Sequence, residues 1–285
     1  MTSRLTRRWS PVLLGLLALA AHAVPARGAG TIFLERCAAG CTYFPGFDDS
    51  RTNHSSLLNQ TSNLPAFGQG DPAWAELLAC VQRGFAPFDV AVTDVDPGTA
   101  SHWEIVVAGS PGNIGQPPGT AGVSPYTCAV INNGVAYAFA AVHANMKDLC
   151  WTTVHETAHL FGLDHELLQR DPMTYLVGCM DKVFAFADAS CGEATPRNCC
   201  LGAGPPTQNS ATMVTAALGP AGHPAPLFLD GFSAFEDGAD PANPDEVPSD
   251  CRWDGAIGAP VAGPALPELR SLRCGTETAR AGRTD

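Results

Sequence analysis

Apolar residues in the first half of the chain either alternate with polar residues or form short runs rich in β-branched side chains. Such patterns predict strands at 31–36, 88–93 and 102–108, and a strand pair over 127–140. The pair is expected to turn at an Asn-Asn-Gly sequence, 132–134, because these residues tolerate the backbone of a tight turn. The polar segment around 48–53 and the Gly- and Pro-rich segment 109–125 are predicted to be loops.

A first helix is predicted to begin at Asp71-Pro72. Asp71 is suited to cap the helix, and Pro72 fits its first position because proline lacks the amide hydrogen that is unpaired there. Its apolar residues recur three and four positions apart, along one helical face: Trp74, Leu77, Leu78 and Val81. This helix is therefore expected to pack one side against a core.

Two more helices follow the predicted strands. One is predicted over 148–161, with Gly162 at its end, and the other over 210–218, with Asn209 or Ser210 as its cap. The order of strands and helices predicts a mixed β-sheet with helices packed on it, in an α+β or α/β arrangement.

The two ends of the chain differ in composition from the middle. Residues 1–23 combine early arginines, an apolar stretch and a small-x-small sequence, which is typical of a cleaved export signal. Residues 24–222 are predicted to form the main domain, and 223–285 a proline-rich, acidic tail. We therefore expect a secreted or periplasmic protein that keeps no membrane anchor after signal cleavage.

Cysteine content and charge narrow the class of protein further. The chain has 11 cysteines, all after the signal, which favours a disulfide framework in an oxidising compartment. The neighbours Cys199 and Cys200 are expected to pair elsewhere in the chain and not with each other. The formal net charge is −12, and nucleic acid is therefore not an expected partner.

The second predicted helix contains the sequence His155-Glu156-Thr157-Ala158-His159. Two histidines four residues apart lie on one helical face, so that both imidazoles can reach one metal ion. Glu156 then projects into the same site without being needed as a ligand.

The motif continues through Gly162 to His165, which completes H-E-x-x-H-x-x-G-x-x-H. With this composition the shorter motif occurs by chance in roughly 1 of 130 chains, and the longer one in roughly 1 of 45,000. Gly162 allows the backbone to leave the helix sharply, so that His165 can turn back towards the metal. Three imidazoles and an open fourth position are typical of a catalytic zinc site.

These residues resemble the metzincin clan of zinc metallopeptidases. The resemblance extends to Asp171-Pro172-Met173-Thr174-Tyr175, where Met173 matches the methionine of the turn that lies beneath the zinc ligands in that clan. Glu166 and Tyr175 are similar to the astacin and serralysin pattern, whereas the short spacing from His165 to Met173 is closer to matrixins. The subfamily therefore stays open.

The resemblance implies an upper subdomain to about residue 162, a lower subdomain over 163–222, and a zinc cleft between them. It also implies hydrolysis of protein or peptide substrates, with Glu156 as the general base and Tyr175 as a possible stabiliser of the oxyanion. The strand near 135–140 would form the edge of the cleft. Two alternatives remain: a disulfide-rich binding or adhesive protein with a vestigial zinc site, and a zinc hydrolase of a non-peptide substrate.

Calcium is a second candidate cofactor. Four aspartates in the predicted loops offer carboxylates that some relatives use for this ion: Asp48, Asp49, Asp94 and Asp96. Their spacing does not match a calcium-binding loop, so solvated loops are the alternative interpretation.

Overall fold

The structure is a computed structural model that describes residues 30–176 and 181–222. The predicted signal, Cys179 and the tail 223–285 lie outside these residues. The three helices are α1 (Gly70–Phe85), α2 (Met146–His159) and α3 (Ser210–Leu218). The strands are β1 (Gly30–Glu35), β2 (Cys41–Pro45), β3 (His54–Ser55), β4 (Ser62–Leu64), β5 (Val90–Thr93), β6 (Trp103–Val107), β7 (Gly122–Val123), β8 (Val135–Ala138), β9 (Ala189–Ser190) and β10 (Thr207–Gln208).

A five-stranded mixed sheet forms the centre of the fold, in the order β5-β1-β6-β8-β7. The first four strands of this order run parallel to their neighbours, and β7 runs antiparallel to β8 at one edge. The prediction of a mixed α/β fold with helices packed on a sheet is therefore confirmed.

The two faces of the sheet bury two different sets of side chains, because successive residues of a strand point to opposite faces. Ile105 and Val107 of β6 lie on the face that packs against the helices, together with α1 residues such as Leu77. Val106 lies on the other face, where Tyr43 from β2 packs against it in a smaller cluster. The small sheet β3-β2-β4 thus covers one face, and the helices cover the other.

The disulfide Cys80–Cys150 joins α1 to α2 across the helical face of the sheet. Two further disulfides close short loops, at Cys37–Cys41 and Cys191–Cys199. The expectation that Cys199 and Cys200 pair elsewhere is confirmed for Cys199. In the described part of the chain, no helix has both the length and the apolar character that crossing a bilayer requires.

Two sequence predictions were wrong around the sheet edge. The first half of 127–140 is not a strand, and β8 instead pairs with β6 and with β7. The strand at 135–138 is not at the edge of the sheet, because β7 (Gly122–Val123) pairs with its outer side. β7 lies within the segment that was predicted to be a loop. A strand of two residues carries too little alternation to be recognised in a sequence.

The start of α1 also differs from the prediction. The helix begins at Gly70, after Gln69, and Asp71 lies within the first turn instead of capping it. Its carboxylate accepts a hydrogen bond from Arg36 at 2.9 Å. The cap of α3 agrees with the prediction, because the Asn209 side chain accepts from the Thr212 amide at 3.0 Å.

Candidate metal centre

Three histidines come together at the end of α2. His155 and His159 lie one turn apart on the helix, and the chain then turns at Gly162 (φ +85°) and brings His165 back towards them. A Cβ atom at Gly162 would lie 2.8 Å from the Ala129 amide nitrogen. Both the left-handed backbone and the close approach therefore require glycine, as the sequence predicted.

The Nε2 atoms of the three imidazoles converge on one point. The His159 Nε2 lies 3.0 Å from that of His155 and 3.1 Å from that of His165. These three residues form a group that could hold a metal ion. Three imidazole nitrogens in this arrangement can share one cation, which supports a metal-binding role.

Each imidazole is oriented through its other nitrogen, Nδ1. That of His155 donates to the Pro172 carbonyl at 2.8 Å, and that of His159 to the Leu163 carbonyl at 2.7 Å. A donating Nδ1 leaves Nε2 with its lone pair free for a metal. Burial, followed by the neighbouring imidazoles, lowers the pKa of His159 to about 3 and that of His155 well below its usual value. Both rings are therefore neutral at physiological pH, which is the form that binds metals.

The third histidine depends on a carboxylate that the sequence analysis did not identify. The His165 Nδ1 lies 2.9 Å from a Glu193 carboxylate oxygen. Arg197 binds that same oxygen at 2.7 Å and reaches both oxygens of Asp164, at 2.6 and 2.7 Å. Burial opposes ionisation of Asp164, but the hydrogen bonds from Arg197 outweigh it and lower the pKa of Asp164 to about 2.

This cluster fixes the segment that carries His165. The Asp164 carboxylate accepts a hydrogen bond from the His165 amide at 2.7 Å. The Gln208 side chain accepts from the Asp164 amide at 2.9 Å and donates to the Asp164 carbonyl at 2.6 Å. Asp164, His165 and Glu193 also form a second group with the donor atoms for a metal. Because Arg197 already neutralises its carboxylates, we interpret this group as support for the histidine cluster.

Glu156 lies between the helix and the edge strand. Its side chain is buried, and burial raises its pKa to about 8. A Cβ atom at Gly122 of β7 would lie 2.6 Å from the Glu156 Oε1 and 2.8 Å from the Thr152 Cγ2. The absence of a side chain at Gly122 therefore leaves the space that the Glu156 carboxylate occupies.

Tyr175 lies beside the same cluster. Its ring centroid is 4.3 Å from that of His165 and 5.7 Å from that of His155. Burial raises the pKa of Tyr175, and the charge of Glu156 adds to this effect, so the phenol keeps its proton. The structure thus places a hydroxyl-bearing ring against two of the three histidines.

Met173 is fully buried in the main hydrophobic cluster, within a turn that contacts the histidine cluster. Its carbonyl accepts from the Glu166 amide at 3.1 Å, and its amide donates to Asp171 at 2.9 Å. The preceding residue, Pro172, supplies the carbonyl that orients His155. The turn therefore orients His155 directly, and it holds the segment that carries His165 through the main chain of Glu166.

The calcium candidates make local contacts instead. Asp48 accepts from the Ser56 hydroxyl at 2.7 Å, and Asp49 binds Arg51 at 2.7 Å. Asp94 accepts from the Trp74 indole at 2.9 Å. The fourth candidate, Asp96, accepts from a glycine amide two residues later. Among residues 30–176 and 181–222, none of the four belongs to a group with metal-binding geometry.

Comparison with known proteins does not assign the chain to a family. No protein-family model matches it, and no curated protein shows a sequence match to it. Its function must therefore be argued from the histidine cluster and the residues around it.

Proposed function

We propose that this protein is a secreted, zinc-dependent endopeptidase of the metzincin type. His155, His159 and His165 would hold the zinc, and Glu156 would act as general base. One observation carries the proposal: three imidazoles converge at the end of α2, and the same helix carries Glu156, a buried carboxylate that none of them uses as a hydrogen-bond partner.

The donor set fits zinc. Neutral imidazole nitrogens suit zinc, and a site with three protein ligands leaves a position for water or substrate. The described cysteine nearest to the cluster in sequence, Cys150, is bonded to Cys80 and does not compete as a ligand. When bound, zinc lowers the pKa of its water to about 7 and polarises the substrate carbonyl.

Glu156 is suited to move a proton in this reaction. Its buried carboxylate would take a proton from the attacking water and deliver it to the nitrogen of the leaving amine. Burial alone favours the protonated acid, and a nearby cation favours the carboxylate. These opposing effects bring its pKa towards neutrality, where a group can both accept and donate a proton.

The substrate would bind along β7, the antiparallel edge of the main sheet. An extended peptide can add a strand to a free edge, so that main-chain hydrogen bonds supply affinity. Gly122 of this strand lies directly beside the Glu156 side chain, so a peptide bound along β7 would pass the general base. In this arrangement, the sheet with α1 and α2 corresponds to an upper subdomain and 163–222 to a lower one.

The disulfides support export as part of the proposal. Three disulfides in the described residues fit an oxidising compartment, as expected for a protein that leaves the cytosol. The predicted signal at 1–23 would provide the route.

The proposal is tested by Glu156→Gln, with Glu76→Gln on the exposed side of α1 as the control. We expect Glu156→Gln to bind one zinc per chain but to lose hydrolysis of a peptide library by roughly 10²–10⁴-fold, because the base is absent. Glu76→Gln should match the wild type in both respects. Activity of Glu156→Gln within tenfold of the wild type would contradict the proposal.

The same assay separates the two alternatives. A binding protein with a vestigial site would leave the library uncut even when loaded with zinc. A hydrolase of another substrate class would also leave peptides intact, but it would cleave small esters or amides in a manner that depends on Glu156.

A further inference from the structure

Two cysteines of the described chain, Cys128 and Cys200, are present as thiols. Cys128 lies in the segment that precedes β8, where its backbone is left-handed (φ 59°). Cys200 follows Cys199, whose sulfur is bonded to Cys191 in the lower part of the molecule. The two cysteines are far apart in sequence. Both are partly accessible to solvent.

The two thiols meet in the folded chain. The Cys128 and Cys200 side chains are within hydrogen-bonding reach of each other, and the Tyr126 hydroxyl contacts both. The Tyr126 oxygen is 3.9 Å from the Cys200 sulfur. Tyr126, Gly162 and Cys200 also line one cavity of about 280 Å³, which leaves space for the side chains to adjust.

The segment 126–129 packs against the histidine cluster and the turn at Gly162. A Cβ atom at Gly162 would lie 2.9 Å from the Cys128 carbonyl carbon, so this backbone contacts the turn that delivers His165. The Tyr126 ring centroid is 5.5 Å from that of His159. A covalent link at Cys128 would therefore hold this segment against two of the three histidine-bearing positions.

We propose that Cys128 and Cys200 form a further disulfide, which fastens the segment before β8 to the loop that follows Cys199. The other six described cysteines are already paired, and these two thiols are placed as partners by the fold. A disulfide between distant parts of a chain constrains the unfolded state strongly, which stabilises the fold.

The oxidant belongs to the class of disulfide-bearing thiol oxidants found outside the cytosol. One cysteine thiolate attacks the oxidant's disulfide, so that a mixed disulfide forms and one oxidant thiol leaves. The second cysteine thiolate then attacks the mixed disulfide, and the second oxidant thiol leaves. Two protons pass from the cysteines to the departing thiolates, and the oxidant is reduced by the two electrons that the cysteines lose.

The test is a disulfide map of the full chain after export. Free thiols are alkylated under denaturing conditions, the protein is digested without reduction, and linked peptides are identified by mass spectrometry. We expect the peptide with Cys128 to be joined to the peptide with Cys200. Alkylation of both, or a bond from either one to Cys179, Cys251 or Cys274, would overturn the proposal.

Two single variants resolve the ambiguity between the adjacent cysteines. Cys200→Ser should leave Cys128 open to alkylation while Cys191 stays bonded to Cys199. Cys199→Ser should have the opposite effect and expose Cys191 but not Cys128. If Cys128 stays linked in Cys200→Ser, the assigned partner is wrong. If a variant fails to fold, fragmentation of the linked wild-type peptides between Cys199 and Cys200 decides the question. None of these results depends on peptidase activity.

Discussion

Glu193→Ala removes the carboxylate that accepts the Nδ1 proton of His165. The acceptor oxygen is 2.9 Å from that nitrogen and is also held by Arg197, so its position is fixed before a metal binds. In the variant, the His165 ring loses its orientation and the preference for a free Nε2 lone pair. We therefore expect weaker zinc binding with little change in the fold.

Two estimates of the effect agree. Loss of the partner that orients a metal-binding histidine costs roughly 10–100-fold in metal affinity, which corresponds to about 1.4–2.7 kcal/mol. A hydrogen bond to a charged group contributes about 1.5–3 kcal/mol. Since the Glu193 side chain is 32% exposed, solvent weakens the interaction, and we expect a loss in the lower part of this range.

The assay is competition for zinc between the protein and a coloured chelator at pH 7.5. Glu193→Gln should lie between the wild type and Glu193→Ala, because the amide oxygen still accepts a hydrogen bond but carries no charge. Glu76→Gln, at a remote exposed position, serves as the control and should be unchanged. Zinc affinity of Glu193→Ala within threefold of the wild type, in a protein that is folded by circular dichroism, would refute the role of Glu193.

Three other predictions concern the same centre. Tyr175→Phe should lower kcat by roughly 10²–10³-fold with KM little changed, as expected for loss of an oxyanion donor; unchanged turnover would show that the ring only packs against the histidines. Gly122→Ala should keep zinc but lower kcat/KM by about 10²-fold, because its methyl group displaces Glu156, whereas Gly112→Ala adds a methyl group in open space and should be silent. In the zinc-free protein, the imidazoles of His155 and His159 should stay neutral down to pH 5, because burial and the neighbouring imidazoles lower their pKa. An NMR titration of the imidazole nitrogens checks this, and protonation of both rings by pH 6 would contradict the pKa directions.

The elements with strong local signals were predictable from the sequence. The 210–218 helix is found with the expected bounds and cap, because Asn209 and the following apolar residues specify it locally. The second helix and the convergence of its two histidines follow from the helical repeat. Gly162 was also predictable, since only a sharp turn brings His165 back to them.

The missed features depend on contacts that are distant in sequence. β7 is two residues long and is a strand only because β8 lies beside it. β2 precedes the predicted loop 48–53 and β3 and β4 follow it, and no strand was predicted at these positions. Glu193 meets His165 only after the chain has passed through the Cys191–Cys199 loop, so no spacing rule identifies it. The close approach of Gly122 to Glu156 likewise depends on β7 lying beside α2, and no local sequence pattern indicates it.

The most direct test of zinc-dependent peptide hydrolysis is product mapping of a peptide library digested by the secreted full chain. The digest is run as purified, after zinc removal by a chelator, and after one equivalent of zinc is returned. The proposed function predicts internal cleavage of peptides in the first and third samples and none in the second. Cleavage that persists after zinc removal, or an intact library with one zinc bound per chain, would contradict it.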